Sequence, residues 1–445
     1  MKILTQDEAK RITDKVLSLS KADECVVTLN GSRVGNVRYA RNAVSTAGLV
    51  EDTQLTVSVA FGKKQGTANI NEFDDKSLEK VVRRAEDLAR LAPENPEFMP
   101  TPEKQVFRAT STFSEKTAAI DPEYRAQVAA YSIEQSRKNK LVAAGFFTDR
   151  TSFETVANSR GVFGHQQQTG VDFTCTVRTE DGRGSGWVRR DANDVARFDA
   201  RAASDIAIEK ALRSADAKAL EPGRYTVILE PAASADLMAY MFSAFDARSA
   251  DEGRSFLAKK GGQNRLGDKL FDEQVNIWAD PWDKDVPVLP WDSQNLLARE
   301  RMDLIKNGKV ASLDYSQYWA KKMGKRAIGT PGNIIMAGGS KSTEELIAGT
   351  KKGVLVTRTW YIRMVDPQSV LLTGLTRDGT FYIENGKIKH PVKNFRFNES
   401  PVTMLNNIDE LGRGEILSGD ESPYQMVIPA IRVRDFNFTS LSDAV

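Results

Sequence analysis

Histidine and cysteine are scarce in this chain, because its 445 residues include two of each. Histidine is the usual proton carrier near neutral pH, and zinc sites are built largely from imidazole and thiolate ligands. The sequence thus argues against a histidine-based nucleophile, a zinc site made by this chain alone and a disulfide framework. We expect Cys25 and Cys175 to be buried free thiols. His165 is predicted in a polar hairpin at 164–170, and His390 in a turn or on the surface.

Long apolar runs and an excess of one charge are also missing. The 62 Lys and Arg residues are interspersed with 60 Asp and Glu residues, and no basic face is evident, which argues against nucleic-acid binding. The most apolar helical run, 232–245, is too short to span a bilayer and includes Asp236. Charged residues follow the first apolar positions at once, unlike a signal peptide. We therefore expect a cytoplasmic protein without membrane or nucleic-acid partners.

A helix, antiparallel strands and a second helix occur in the same order twice, in 5–91 and in 121–214. Thr5 and Glu8 form the signature of a capping box, and an apolar face that includes Leu78 and Leu88 predicts a helix over 75–91. Asp121 followed by proline predicts the start of a helix that ends near residue 138. We predict an α+β fold, in which an N-terminal domain of two such repeats precedes a β-rich C-terminal domain. The predicted boundaries are 1–220 and 221–445, next to a Pro-Gly pair.

Turn signals dominate the C-terminal half. Asn-Gly pairs at 307–308 and 385–386 predict tight hairpins. Ser342 and Glu345 predict the cap of a short helix at 342–349. The glycines of 337–345 lack the Gly-Lys-Ser ending of a phosphate-binding loop, so that stretch is interpreted as a turn that precedes the helix.

Acidic residues and tryptophans alternate in 279–293. Carboxylate pairs beside aromatic rings occur in glycosidases, so an enzyme of unrelated chemistry is one hypothesis. A surface loop with its tryptophans docked as anchors is the favoured interpretation. The residues concerned are Asp280, Asp283, Asp285, Asp292, Trp282 and Trp291.

The stretch 357–369 concentrates charged and aromatic side chains, and it looks suited to hold a ligand. Its candidate binding residues are Arg358, Trp360, Tyr361, Arg363 and Asp366. Strand alternation would place Arg358 and Trp360 on one face and Tyr361 and Arg363 on the other, with Thr359. We predict that Tyr361 and Arg363 contact a groove, where a peptide adds as a further strand.

Three long stretches resemble the TldD/TldE (PmbA) family, once called modulators of DNA gyrase. They are 38–71, beginning "RYARNAVSTAGLVED", 158–187, beginning "NSRGVFGHQQQTG", and 357–402, beginning "TRTWYIRMVDPQS". The resemblance extends over essentially the whole chain. It implies that the catalytic TldD subunit is a zinc metalloprotease with His-Glu-x-x-x-His on a helix and a late cysteine.

This chain departs from the catalytic pattern of that family. The corresponding helix is expected at 237–256, where the histidine positions fall near Met238 and Ser243 and the glutamate near Ala239. The late cysteine is also missing from 412–426. The resemblance therefore implies a TldE-like, metal-free partner subunit without catalytic residues of its own.

The expected function follows from that departure. Such a subunit would pair with a TldD-like zinc protease, and the heterodimer would degrade peptides or unfolded proteins with zinc held by the partner. A stand-alone peptide-binding module that forms a homodimer is the alternative. An enzyme built on Asp280, Asp283 and Asp292 is a third hypothesis.

Overall fold

The computed structural model describes residues 3–418 and 424–442. In this described part, the N-terminal half forms a six-stranded antiparallel sheet in the order β3-β2-β1-β4-β5-β6. Its strands are β1 (Glu24–Ala40), β2 (Ala43–Phe61), β3 (Lys64–Ile70), β4 (Leu141–Asn158), β5 (Phe163–Thr179) and β6 (Ser185–Ala192). Its helices are α1 (Gln6–Leu19), α2 (Asp75–Leu91), α3 (Glu115–Ala118), α4 (Pro122–Lys138) and α5 (Ala200–Arg213).

The sheet is symmetric about the pair formed by β1 and β4. These strands run antiparallel from Val26 opposite Asn158 to Tyr39 opposite Gly145. Two further strands follow on each side in the same chain order, and separate apolar cores lie in the two halves. This arrangement confirms the predicted α+β fold with two repeats. The two repeats share one sheet because their first strands pair with each other.

The helix starts match their sequence signals. The side chain of Thr5 accepts a hydrogen bond from the amide of Glu8, and the Glu8 carboxylate accepts one from the amide of Thr5. The Asp121 side chain accepts a hydrogen bond from the amide of Tyr124. These contacts satisfy amides that the first helical turn leaves without a partner.

The predicted inward position of Leu88 is wrong, since this side chain is 44% exposed. The inward face of α2 instead includes Leu78, Ala85 and Ala89. The helix packs very closely on β3, where a Cβ on Gly66 would lie 2.3 Å from the Ala89 amide nitrogen. Small residues are therefore required along this line of contact, and Leu88 is turned to solvent.

The hairpin predicted at 164–170 is also wrong. His165 lies inside β5, and the turn that joins β4 to β5 follows Asn158. The imidazole is half-buried, its Nδ1 lies 2.8 Å from the Thr155 hydroxyl, and it stacks on Phe153. The thiols of Cys25 and Cys175 are buried and free, as predicted.

In the described C-terminal half, a 13-stranded mixed sheet is built around the long final strand β21. Its strands are β7 (Gly223–Leu229), β10 (Ile277–Ala279), β11 (Met302–Lys306), β12 (Lys309–Val310), β13 (Asn333–Met336), β14 (Lys352–Val356), β15 (Thr359–Asp366), β16 (Leu371–Thr376), β17 (Thr380–Glu384), β18 (Lys387–Pro391), β19 (Phe395–Glu399), β20 (Ile408–Ser418) and β21 (Gln425–Leu441). A small separate sheet contains β8 (Ala258–Lys259) and β9 (Gln263–Asn264). The helices are α6 (Pro231–Phe242), α7 (Ala247–Asp251), α8 (Gln317–Lys322), α9 (Thr343–Ala348) and α10 (Pro401–Asn406).

Local signals in this half are also confirmed. Asn307 and Asn385 have φ angles of 48° and 49°, and each is followed by a glycine with positive φ. Two consecutive residues with positive φ are typical of the tight hairpin turn that Asn-Gly favours. Ser342 and Glu345 form the predicted capping box of α9.

The acidic stretch 279–293 docks its tryptophans against the N-terminal half. Trp291 is 1% exposed, donates from Nε1 to Glu154 over 2.6 Å, and packs against Phe107. The Trp282 indole donates to the carbonyl of Arg108 over 3.3 Å. The anchor interpretation of this stretch therefore describes the observed packing.

No helix within residues 3–418 and 424–442 is both long enough and apolar enough to cross a membrane.

Candidate functional site

Helix α6 is the element expected to correspond to the zinc-binding helix of the family. Pro231 begins it, which suits a first helical turn because proline brings no amide hydrogen there. Most of its side chains are buried, and it packs between β15, β20 and β21. A helix that is buried on all sides is expected in the centre of a large core, and α6 also buries the polar side chains of Ser234 and Asp236.

The three expected motif positions carry no zinc ligand. Met238 is fully buried in the core and Ala239 is 8% exposed. Ser243 lies beyond the end of α6, where its hydroxyl donates to the carbonyl of Tyr240. Zinc requires thiolate, imidazole or carboxylate ligands, so these residues do not fit the ion.

Nearby acids serve the local structure. Asp246 caps α7 by accepting a hydrogen bond from the Ser249 amide. Asp251 accepts hydrogen bonds from the Trp319 indole and the Asn264 side chain. Within the described residues, no group of three or more histidine, cysteine, aspartate or glutamate side chains is placed to hold a metal. Of the stretch 412–426, which lacks the late cysteine, residues 419–423 lie outside the described residues.

The structure brings the candidate binding stretch directly alongside this helix. The Tyr240 hydroxyl of α6 donates to the carbonyl of Ile362 over 2.9 Å, and the Thr359 hydroxyl donates to the carbonyl of Ala233 over 3.2 Å. The Gln368 side chain donates to the carbonyl of Gly253. Strand β15 therefore lies alongside the helix that is expected to correspond to the zinc-binding helix of the family.

Strict alternation along β15 is wrong, because the strand contains a bulge. Its register against β16 shifts between Trp360 and Arg363, and Tyr361 has a φ of 54°. Trp360 and Tyr361 are consequently both exposed, at 37% and 55%, whereas Thr359 and Ile362 are buried. An extra residue in one strand reverses the side-chain pattern beyond it.

An aromatic and cationic surface results from this bulge. The rings of Trp360 and Tyr361 lie 5.5 Å apart, the Arg377 guanidinium lies 3.9 Å from the Trp360 ring centre, and that of Arg363 lies 4.4 Å from the Tyr361 ring centre. Met364 and Val365 on the same strand are also exposed. We call Trp360, Tyr361, Arg363, Met364 and Val365 the β15 platform.

Arg358 lies before β15 and joins the two halves of the molecule. Its side chain is 13% exposed, it binds the buried carboxylate of Asp378 over 2.6 Å, and its guanidinium lies 4.0 Å from the ring centre of Trp187 on β6. Ser185 of β6 donates a further hydrogen bond to Asp378. Because this cluster is buried, the Arg358 side chain holds the two halves together and does not line an open groove.

Asp366 shapes the turn after β15. Its carboxylate accepts hydrogen bonds from the Gln368 amide and the Ser369 hydroxyl, and the Ser369 contact lowers the pKa of Asp366. Its observed contacts are thus made within its own turn. A substrate role for any residue of 357–366 stays a prediction.

The carboxylates of 279–293 are also held by backbone amides. Asp280 and Asp283 accept hydrogen bonds from amides two or three residues later, and Asp285 pairs with Arg197. Asp292 accepts from the amide of Gln294 and from that of Thr330. These contacts stabilise the turns of the stretch, which accounts for its acidic residues without a catalytic role.

Two acidic groups close to α6 have no signal in the sequence. Glu230 precedes the helix and pairs with Lys210 of α5 over 2.6 Å, and partial removal of its carboxylate from water raises the pKa of this group. Burial, together with the charges of Asp246 and Asp292, raises the pKa of Asp314 to about 6. Both environments are made by residues distant in sequence, so no local pattern could have indicated them.

Comparison with known proteins agrees with this geometry. Models of the PmbA/TldA metallopeptidase match residues 25–89 for domain 1, 110–215 for the central domain and 222–440 for the C-terminal domain. The chain belongs to the TldD/TldE (PmbA) family. Its metallopeptidase-like fold is thereby established, and the resemblance of the three quoted stretches is confirmed.

Relatives of this family share the full length at low identity. "Metalloprotease PmbA" of Escherichia coli O157:H7 is 23% identical over 447 residues, which cover 95% of this chain and 94% of that protein. The crystal structure of TldE from Thermococcus kodakarensis has a TM-score of 0.86 at 17% identity and covers 97% of this chain and 99% of that one. A Thermotoga maritima structure, named as a candidate modulator of a DNA gyrase, has a TM-score of 0.85 at 18% identity, with coverage of 97% and 100%. At these identities the structural matches establish the fold.

Proposed function

We propose that this TldD/TldE family chain is a TldE-like, metal-free subunit that pairs with a TldD-like zinc metalloprotease. The observation that carries the proposal is the chemistry of α6 and the turn after it, where Met238, Ala239 and Ser243 stand at the expected ligand and base positions. A buried thioether, a methyl group and a hydroxyl cannot replace two imidazoles and a carboxylate at a zinc ion. The partner would hold the zinc ion, which would supply the hydrolytic chemistry, and this chain would contribute no ligand to it.

The contribution of this chain to the complex is to hold the substrate. Within the described residues, β15 is hydrogen-bonded to β16 on one side and has no strand neighbour on the other. An extended peptide can add along such an edge through main-chain hydrogen bonds, largely independent of its sequence. The exposed rings of the β15 platform add apolar contact area, which suits peptides and unfolded proteins.

Purification of the chain alone and together with a TldD-like protein tests this function. We expect peptide cleavage and stoichiometric zinc in the mixed complex, and neither in the isolated chain. A partner whose motif glutamate is changed to glutamine serves as control, because it should form the complex without cleaving peptides. Zinc at one equivalent and peptidase activity in the isolated chain would overturn the proposal.

A matched pair of variants separates substrate binding from assembly. Tyr361→Ala removes an exposed ring of the platform, and Val106→Ala changes an apolar side chain that is 88% exposed elsewhere. In the mixed complex, we expect Tyr361→Ala to raise KM several-fold with little change in kcat, because the ring does not touch the reacting bond. Equal KM values for both variants would exclude the platform from substrate binding.

A stand-alone peptide-binding module is the second candidate function. The observation that favours it is the β15 platform itself, whose aromatic and apolar side chains are exposed on this chain. We expect an isolated chain of this kind to bind extended peptides and to form no mixed complex with a TldD-like protein. Peptide titration of the isolated chain, followed by co-purification, distinguishes the two functions.

A further inference from the structure

A cleft opens at the base of the hairpin formed by β11 and β12. Just after β12, the Ala311 amide still donates to the carbonyl of Leu304 in β11, over 2.9 Å. The chain then turns away from β11, and the Asp314 amide donates instead to the carbonyl of Phe245. The two segments are thereby separated, and a cleft of about 540 Å³ lies between them, beside Met302.

This cleft lies in the most basic part of the chain. A second cavity of about 530 Å³ adjoins it, since both are lined by Leu266 and Ala311. Residues 299–326 contain eight lysines and arginines and three acidic residues, an excess of five, whereas the net charge of the whole chain is +2. We call the five exposed cationic residues that line the two cavities the basic groove: Arg301, Lys306, Lys309, Lys325 and Arg326.

The groove already binds carboxylates of the chain itself. Asp303 lies 3.4 Å from the Arg301 guanidinium, for example. Among the residues that the structure describes, in contrast, Lys309 and Lys325 form no ion pair. These two ammonium groups can therefore accept carboxylates from another molecule.

The floor of the cleft is apolar. Met302 and Leu313 line it and are 6% and 3% exposed, and Ile328 beside them packs against the main core of this half. The Ser312 hydroxyl and the partly buried Tyr315 add hydrogen-bonding groups to the lining. A ligand for this cleft thus needs apolar groups for the floor and anionic groups for the rim.

We propose that the basic groove binds an acidic segment of a polypeptide. Carboxylates of the segment pair with Lys309 and Lys325, and apolar side chains between them contact the floor at Met302. A peptide can combine both kinds of group because its backbone is neutral. A nucleic acid suits the groove less well, since it carries a phosphate at every nucleotide and Asp303 in the lining would repel it.

The groove is distinct from the β15 platform. It lies at the β12 end of the 13-stranded sheet, whereas β15 lies off the main path of that sheet and pairs with β16. The two surfaces share no residue. The proposal concerns binding by the isolated chain, so it stands or falls independently of pairing with a TldD-like protease.

Titration of the isolated chain with a short fluorescein-labelled peptide of alternating glutamate and leucine is the first test. We expect the peptide to bind more weakly as salt is added, and a matched peptide with glutamine in place of glutamate to bind far less tightly. Lys325→Glu should raise the Kd for the acidic peptide about fivefold. Lys63→Glu is the matched control, because it reverses the charge of an exposed lysine in the N-terminal half.

Three results of this titration would overturn the proposal. They are equal binding of the two peptides, an equal change of Kd in both variants, and tighter binding of a labelled single-stranded DNA of the same length. Since both substitutions are made at exposed positions, the thermal unfolding of each variant should match that of the wild type.

Carbodiimide crosslinking of the wild-type chain provides a second test, which needs no variant. The reagent activates a carboxylate of the bound peptide, and a nearby lysine amine displaces it to form an amide. Mass spectrometry should find the peptide attached to Lys309 and Lys325, with little at Lys63. Equal attachment to exposed lysines of both halves would contradict a site in the basic groove.

Discussion

Helix α6 and strand β15 touch each other in the C-terminal half, yet they present opposite surfaces. The helix carries Met238 into a closed apolar core, whereas the strand turns Trp360 and Tyr361 toward solvent. Two hydrogen bonds, from Tyr240 and Thr359, fix their relative position. The helix expected to correspond to the zinc-binding helix of the family is thus part of the core, and its neighbour exposes aromatic side chains. Experiments can separate these roles by changing one element at a time.

The largest effect is expected from Met238→Ala on the buried side. Loss of a fully buried methionine side chain leaves a cavity and costs roughly 2–5 kcal/mol of the free energy of unfolding. Ser243→Ala, at the exposed motif position, should cost less than about 0.5 kcal/mol. Denaturant unfolding of both variants measures the difference. Equal losses in the free energy of unfolding would mean that the buried Met238 side chain stabilises the core no more than an exposed residue does.

Arg358→Ala should have the next largest effect. It leaves the carboxylate of Asp378, which is 1% exposed, without its closest cation, at a cost of about 3 kcal/mol. Arg377 lies 3.9 Å from the same carboxylate and should limit the loss. Arg363→Ala on the platform is the matched control and should change the free energy of unfolding by less than about 0.5 kcal/mol. Thermal unfolding compares them, and a neutral Arg358→Ala would mean that the pair with Asp378 does not stabilise the fold.

Features set by neighbouring residues could be predicted from the sequence. Helix caps and tight turns depend on contacts within four residues, so the residues that form them can be read directly from the local sequence. Examples are the caps at Thr5, Asp121 and Ser342 and the turns at Asn307 and Asn385. The two repeats followed from the order of these local signals. The pairing of their first strands into one sheet has no such local signature.

Features set by distant contacts could not be predicted in this way. The bulge at Tyr361 arises where Ile362 must reach the core while the strand stays paired with β16, and alternation alone gives no sign of it. The burial of Arg358 depends on Trp187 and Asp378, which come from other strands. The outward position of Leu88 depends on the close approach of α2 to Gly66. Each case joins segments whose proximity is a property of the fold.

The smallest and most selective effect is expected from Tyr361→Gly. Tyr361 has a φ of 54°, a conformation that disfavours a side chain and costs roughly 1 kcal/mol relative to glycine. The substitution should therefore raise the free energy of unfolding by up to about 1 kcal/mol, while the loss of the exposed ring weakens peptide binding by the chain. Tyr361→Ala separates the two effects, because alanine lacks the ring but keeps a Cβ at a positive φ, so binding should weaken without the gain in stability. A gain in stability with weaker binding would mean that the bulge presents Tyr361 for recognition at the expense of stability. Unchanged peptide binding in both variants would mean that the Tyr361 ring does not contact the peptide. The exposure of β15 would then have no ligand to explain it.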